Sequence, residues 1–463
     1  MTATPRQMKL LLFPSFSGAH VAGWRHGGAQ PGRMHDIGYH RHLAQTAERG
    51  LFDAMFLPDA QGFRTIVGRE AYSRNEAARM EPITLLSALA MVTDHLGLIA
   101  TLSTSYNEPY SAARRLATLD HISAGRAGWN VVTSTTQNEA HNFGREAHFG
   151  HAERYARAAE FIDVVKGLWD SWDEDAILAD KESGIFFDPD KVHALDHDGD
   201  FFRVSGPLTT IRPPQGHPVI VQAGASAAGA ALAAATAELV FTSNPSLASA
   251  QASYRRLKDA VSATGRDPAG CLVIPAIQPI VAQSLAEAEA IAYELDALIH
   301  PEVALSMLEL ALGGHVDLSG CDPDGPLPPI PPTEASQSTQ ARVLEMASAG
   351  QLSIGQLAKR IASSRTSAPL VGTPAMVADV LEAWFGEHGA DGFALAAPYL
   401  PGGLEAFVNM VVPELQRRGL FRTRYEGMTL RENLGLARPD SRYRDDPKRH
   451  REPEIWRRDR QSS

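Results

Sequence analysis

The sequence predicts an α/β chain closed into a (β/α)8 barrel. Three observations point there: roughly eight short apolar runs alternate with longer amphipathic segments, the runs are apolar on both faces, and 463 residues suit one large unit with insertions. A strand that is apolar on both faces needs cover on both, which a parallel sheet obtains from the helices of successive crossovers. Eight such units close on themselves naturally, and an open doubly wound sheet is the second reading. At 44% hydrophobic and 21% charged residues, the composition excludes a disordered, collagen-like or coiled-coil chain.

Each element can be justified in order. KLLLF at 9–13 is the first strand, and the amphipathic stretch 37–49 is a helix that stops at Gly50. AMFL at 54–57 is the second strand, followed by a helix over 82–93. The runs 98–102 and 127–133 are strands separated by a helix over 112–122. From His151 to Trp172 runs a long helix, since Phe161, Val164, Val165, Leu168 and Trp172 recur at helical spacing. After an irregular stretch come a strand at 219–222, an Ala-rich helix at 226–237, a strand at 239–241, a helix at 246–264 and a strand at 272–280. A helix over 374–388, a strand over 392–396 and a helix over 404–418 complete the series.

Two interruptions stand out. The first, about 173–216, is rich in Asp, Gly and Pro and has room for a hairpin around Phe201 to Val204. The second, 304–370, carries helix-like segments around a Pro-rich stretch at 322–332. A long insertion before a late barrel strand suits a lid or pocket wall, a surface excursion or subunit contact being the other reading. The expected organisation is therefore a single barrel domain over 1–436 with these two insertions. A C-terminal arm over 437–463 follows, whose interleaved Arg and Asp suit lying on the body or on a neighbouring subunit.

Charge and motifs narrow the function classes. Lys plus Arg is 43 against 54 Asp plus Glu, a net charge of −11 that argues against a nucleic-acid partner. Cys271 and Cys321 make no disulfide framework and fit no metal-ligand spacing. His193, His197 and His217 lie among Asp residues, but their spacing matches no common ligand pattern, so no metal is expected. There is no GxxxxGK[ST] loop, GxSxG elbow, HExxH or clear GxGxxG. No apolar run reaches membrane-spanning length and the first nine residues lack a signal-peptide core, so the expected location is cytoplasmic.

Barrel enzymes build their sites at the C-terminal ends of the strands. Asp59 and Thr101 stand there, and GWNVVTS at 128–134 runs from a buried strand into Asn130, Thr133 and Ser134. These uncharged groups suit the edge of a polar heterocycle, although each taken singly reads first as a satisfied core polar group or turn residue. QAGASAAG at 222–229 reads as a strand end, a glycine turn and a helix starting near Ser226. That layout aims backbone N–H groups and a hydroxyl at one point, as anion binding requires. His151 and Tyr155, one turn apart on one helix face, add two more hydrogen-bonding groups. A plain N-cap at Ser226 and packing for Tyr155 is the other reading.

Several stretches together carry a resemblance: GWRH at 23–26, FDAMFLPD at 52–59, STSYNEPYSAARRLATLDHISAGRAGWNVVTS at 103–134, NFG at 142–144, HAERY at 151–155, PVIVQAGAS at 218–226 and TLRENLGL at 429–436. From about Lys9 to Leu436 the chain resembles the bacterial-luciferase-like superfamily. Within it, the chain is similar to the nitrilotriacetate, dibenzothiophene-sulfone, long-chain-alkane and pristinamycin monooxygenase group. The resemblance implies a TIM barrel that binds FMN at its C-terminal mouth, with Asp59, Thr101, Ser134, His151, Tyr155 and Ser226 at the family's FMN-contact positions. Asn130 would lie with Asp59, Thr101 and Ser134 along the isoalloxazine.

It also implies an FMNH2-dependent monooxygenase, the oxygenase component of a two-component system. Such an enzyme takes reduced flavin from a separate NAD(P)H:flavin reductase. It uses O2 to hydroxylate a small organic substrate or to cleave its C–S or C–N bond. A homo-oligomer, dimer or tetramer, is expected. Some relatives place a catalytic histidine directly after the VVTS serine; Thr135 stands there in this chain, which disfavours histidine-assisted, alkane-type hydroxylation. His20, Trp24 and His26, on the loop after the first strand, are substrate-side candidates with Thr135, and no catalytic side chain is assigned. With no Arg or Lys cluster placed at the pocket, a largely apolar, aromatic or sulfur-containing substrate is favoured. The pairs Arg114/Arg115 and Asp120/His121 read as structural, tying a helix to the next strand through ion pairs. The rival readings are a non-catalytic flavin carrier of the same fold and a deazaflavin-dependent oxidoreductase.

Overall fold

Eight parallel strands, β1 (Lys9–Leu12), β2 (Ala54–Leu57), β3 (Gly97–Ser103), β4 (Ala127–Val132), β5 (Val219–Ala223), β6 (Leu239–Thr242), β7 (Leu272–Val281) and β8 (Gly392–Leu395), pair in chain order. β8 returns to β1, with Lys9 opposite Gly392 and Leu12 opposite Leu395, so the sheet is a closed barrel. The structure, a computed structural model, describes residues 6–63, 73–134, 137–224, 226–333, 337–363 and 369–444. The strand-then-helix rhythm continues with α1 (Ile37–Arg49), α2 (Pro82–Ala90), α3 (Pro109–Ile122), α4 (His151–Trp169), α5 (Ala227–Thr236), α6 (Leu247–Ala263), α7 (Pro374–Gly386) and α8 (402–417). Local chemistry sets their starts: Asp36 accepts from Gly38 N at 2.7 Å, Glu81 caps α2 through the N–H groups of Ile83 and Thr84, and Ser246 forms a capping box with Ser249.

Alternation divides the strands between two cores. Leu11, Ala54, Phe56, Ile99, Val219, Val221, Leu239, Ile274 and Ala394 cluster together as one set. Leu10, Leu12, Met55, Leu57, Leu98 and Ala100 cluster with side chains of the surrounding helices. Phe13, Phe56 and Phe241 meet edge to face or tilted at 5.0–5.7 Å. The N-terminal end of the barrel is plugged. A short helix, Leu430–Leu434, joins Leu430, Leu434 and Leu436 to the first set, Lys9 Nζ donates to Asn433 O at 2.7 Å, and Arg422 pairs with the fully buried Asp53. Gly392 suits its close strand pairing, because a Cβ there would stand 2.1 Å from Lys9 O.

Between α4 and β5 a two-residue antiparallel ladder, His197–Asp198 with Arg203–Val204, forms where a hairpin was expected. Glu160 of α4 fastens it by accepting from Phe202 N at 2.8 Å and pairing with His197 at 3.0 Å. After β7 come the helices Leu285–Ala297, Pro301–Ala311, Gln337–Gly350 and Ile354–Ser363, then a strand, Pro369–Gly372, that pairs with the C-terminal end of β7. These helices have their own apolar core, including Val303, Leu308, Leu357 and Ala358, and it closes over Val21 and Ala22 of the loop after β1. Residues 437–444 lie on the body, where Arg438 pairs with Glu174 and Arg442 with Asp163; the remainder of the expected arm lies outside the described residues.

The expected ion pairs at the end of α3 are replaced by hydrogen bonds. Asp120 Oδ1 accepts from Ala127 N, the first residue of β4, at 3.0 Å and from Gln215 Nε2 at 2.6 Å. Asp120 is fully buried, which pushes its carboxyl up to about 6. Arg114 and Arg115 are exposed on the outer side of α3 and reach none of these groups. His193, His197 and His217 each face a carboxylate of their own, Asp173, Glu160 and Asp170 respectively. Among the described residues no group of His, Cys, Asp or Glu is arranged to hold a metal ion, and no helix is long and apolar enough to cross a membrane.

Candidate active site

A cavity of about 1120 Å3 opens at the C-terminal ends of the strands. Its walls include Phe13 and Phe16 after β1, Asp59 and Gln61 after β2, Arg79, Ser134 and Glu139 after β4, Tyr155 on α4, and Gln222 and Gly229 at the β5–α5 junction. The volume is slightly above the roughly 300–1,000 Å3 typical of pockets for one drug-sized ligand, so a large cofactor has room there.

Beneath the mouth a hydrogen-bond chain crosses three strands. Asn130 Nδ2 donates to Thr101 Oγ1 at 2.9 Å, and Thr101 Oγ1 donates to Leu57 O at 2.8 Å. The register explains the contact, because Thr101 and Asn130 are directly paired across β3 and β4. Both residues are buried, and Asn130 Oδ1 has no donor among the described residues. A buried acceptor left unsatisfied is costly.

β4 ends on a sharp turn. Ser134 adopts a left-handed conformation (φ 54°), sparsely populated by non-glycine residues, and polar contacts hold it there. Its hydroxyl lies 2.8 Å from Ser103 Oγ and donates to Glu139 Oε1 at 3.0 Å, while its carbonyl accepts from Arg154. Gln61 N also donates to Glu139 Oε1, at 3.1 Å, which ties the loop after β2 to the same carboxylate. Burial raises the Asp59 carboxyl above its ordinary range, against the opposing pull of the Ala60 N–H and the charge of Arg79.

The other polar corner lies at the start of α5. Ser226 caps the helix by accepting from Gly229 N at 3.1 Å, and its hydroxyl donates to Tyr155 Oη at 3.1 Å. A Cβ on Gly229 would stand 3.1 Å from both hydroxyl oxygens, so glycine keeps this corner open. The N–H groups of Ala227 and Ala228 have no acceptor within the helix. Backbone donors, two hydroxyls and the positive end of a helix dipole thus converge, an arrangement that binds an oxyanion. His151 is exposed, its ring 5.0 Å from that of Tyr155.

Of the residues singled out from sequence, Asp59, Ser134 and Tyr155 line the cavity. Thr101 and Asn130 form the chain under its mouth, and Ser226 touches it through Tyr155. His20, Trp24 and His26 do not line it. His20 accepts from Ala22 N at 3.1 Å and places Nε2 3.3 Å from Asp296 Oδ1, while His26 stacks on Tyr399 at 3.9 Å. The indole N–H of Trp24 is buried with no acceptor among the described residues. His20 and His26 thus tie the β1 loop to the Leu285–Ala297 helix and to the loop after β8. Thr135 lies outside the described residues. Glu139, Gln61 and Arg79 were missed from sequence, since a lone acid, amide or arginine between elements carries no periodic or motif signal. Only the folded loops bring them to the cavity.

Comparison with known proteins adds independent findings. The family described as luciferase-like monooxygenase matches residues 13–392. The chain is 48% identical to N-acetyl-S-(2-succino)cysteine monooxygenase of Bacillus subtilis (strain 168), over 96% of this chain and 100% of that protein. It is 47% identical to nitrilotriacetate monooxygenase component A of Aminobacter aminovorans, over 94% and 97%. Among solved structures, a riboflavin lyase with modified FMN and riboflavin as substrate superposes with a TM-score of 0.82 at 33% identity, covering 96% of this chain and 98% of that one.

Proposed function

From the premise that the chain belongs to the luciferase-like monooxygenase family, we propose that its mouth cavity holds FMN with the ring at the ends of β2–β4 and the phosphate at the start of α5. The chain is an FMNH2-dependent monooxygenase, the oxygenase component of a two-component system. When bound, reduced FMN supplies the electrons with which O2 is split between substrate and water.

One observation carries the placement. A single cavity spans the ends of β2 and β4, at Asp59, Val131 and Ser134, and a helix start lined by hydroxyls, at Tyr155 and Gly229, and a flavin mononucleotide offers a ring to the first and a phosphate to the second. In this reading Tyr155 and Ser226 hydrogen-bond the phosphate and His151 flanks it. Asn130, supported by Thr101, accepts from the ring. Ser134 and Asp59 border the ring edge, with Glu139 fixing the Ser134 turn. Phe13 and Phe16 keep water from the reacting face.

The relatives named above act, by their names, on a thioether and an amine that both carry carboxylates. Together with Arg79 in the cavity wall, over the ring of Phe16 at 4.4 Å, this favours oxidative C–S or C–N cleavage of a small carboxylate-bearing substrate over attack on a purely apolar one. A separate NAD(P)H:flavin reductase would deliver the FMNH2, and a cytoplasmic, homo-oligomeric enzyme completes the reading.

The test is an anaerobic titration of the purified chain with FMNH2, followed by mixing with oxygenated buffer. Saturable binding of reduced flavin, with oxidation slower than in free solution, is the expected result. Absence of binding sinks the placement.

A further inference from the structure

Outside the mouth, a second pocket of about 740 Å3 opens between α3, the loop after β3 and the segment that follows the short helix Gln137–Asn142. Arg114, Arg115, Arg145 and Arg157 line it, and Glu108 is the one carboxylate in its lining. None of these arginines is ion-paired with a described residue. Arg115 donates to Asn107 Oδ1 at 2.8 Å, and Arg157 Nε donates to Thr104 O at 3.3 Å. Arg145 lies over the Phe149 ring at 3.7 Å, and Tyr106 and Phe143 stack at 4.8 Å, nearly parallel.

Like charges gathered in a concavity repel one another, and an anion with several oxygens relieves them. A stacked aromatic shelf beside them offers a face to a flat ring. The pocket also adjoins the flavin cavity: Asn142 lines the inner one and Phe143 the outer, so the short helix and its loop are the partition. A polar chain crosses that partition. Tyr106 Oη contacts His148 Nδ1, His148 Nε2 lies 3.1 Å from Arg154, and Arg154 donates to the carbonyl of Ser134.

We propose that this outer pocket is a second binding site, for a phosphate monoester that carries a flat aromatic ring, and that it holds FMN on its way to or from the inner site. The choice of FMN as occupant rests on the flavin reading above; the arginine–aromatic site itself does not.

Equilibrium dialysis of the full chain with FMNH2 under anaerobic conditions is expected to count two sites per chain, the weaker one fading more steeply with salt. Arg114→Glu combined with Arg145→Glu, both exposed, should weaken that second event by about ten-fold or more and leave the first unchanged. Ser226→Ala with Tyr155→Phe should do the reverse. Competition by AMP for the weaker event supports a site open to nucleotide cofactors in general, and resistance to AMP supports one that reads the isoalloxazine. One FMN per chain in the wild type, or two undiminished events in the arginine variant, overturns the proposal. Loss of one event in the arginine variant, with neither changed by the Ser226 and Tyr155 substitutions, retains the outer site and removes the inner assignment.

Discussion

Among single residues, Asn130 has the environment that most clearly calls for a ligand. Its amide hydrogen is committed to Thr101 while Oδ1 is buried without a donor among the described residues. Asn130→Leu has similar volume and discards the orphaned acceptor, so the free protein should hold or gain stability. FMNH2 binding should weaken by about 1–3 kcal/mol. Urea midpoints and flavin titrations on the same preparation separate the two effects, and a loss of stability with unchanged affinity would make Asn130 a packing residue. At the other pole of the cavity, Ser226→Ala with Tyr155→Phe should cost about 1–3 kcal/mol of FMN affinity through lost phosphate hydrogen bonds. Unchanged affinity in that double variant removes the phosphate corner. The two residues were legible to different degrees. Ser226 is an N-cap whose neighbours in sequence already announce a helix start. Asn130 could be located at a strand end, but its free oxygen depends on the register that sets it beside Thr101, a long-range fact with no local trace.

Strands and helices were readable because their periodicities are local. KLLLF, AMFL and the helical spacing of Phe161 to Leu168 state their own conformation, and the eight barrel strands fall where those runs are. Destinations were not readable. The stretch TLRENLGL carries a capping box, Thr429 with Glu432, yet nothing nearby in sequence says that its leucines close the barrel's N-terminal end. The plug is secured by Asp53, which accepts from Leu10 N at 2.8 Å and pairs with Arg422, itself bound to Asn433 O at 2.9 Å. Arg422→Met strands a buried carboxylate and should destabilise the fold by about 3–5 kcal/mol, with part recovered in the double variant Asp53→Asn/Arg422→Met. Denaturant titration checks both. Equal stability of wild type and Arg422→Met would show that the plug does not depend on the pair. The α3–β4 joint gives a pH signature. Asp120 titrates near 6 in the fold against an ordinary value of 3.8, so between those values the folded chain binds more protons than the unfolded one. Its contribution therefore falls as pH rises through that window, and Asp120→Asn should remove this part of the slope. Urea midpoints at about pH 4.5 and 7 test the sign, and an unchanged difference between them refutes it.

Over the whole molecule, the barrel closes its N-terminal end with the C-terminal tail and packs the insertion after β7 against the loop that follows β1. The fold class could be read from sequence because it follows from the count and order of units. A lid or pocket wall was readable as one use of the insertion, but its contact with the β1 loop was not, because that contact is between distant segments. Val21 and Ala22 of the β1 loop are buried in the insertion's own core, His20 reaches Asp296, and His26 lies between Tyr399 and Glu294. A loop clamped in this way at a cavity mouth limits water entry, and water entry is what diverts reduced flavin and O2 to free hydrogen peroxide. Asp296→Ala with Glu294→Ala loosens the clamp without touching the apolar core. Both carboxylates are about half solvent-exposed, so the change should cost no more than about 1 kcal/mol of stability. The expected result is a higher fraction of consumed O2 released as peroxide at unchanged FMNH2 affinity. If coupling and affinity both match the wild type, the insertion is not a roof over the chemistry, and its apolar core serves the surface or a subunit contact instead.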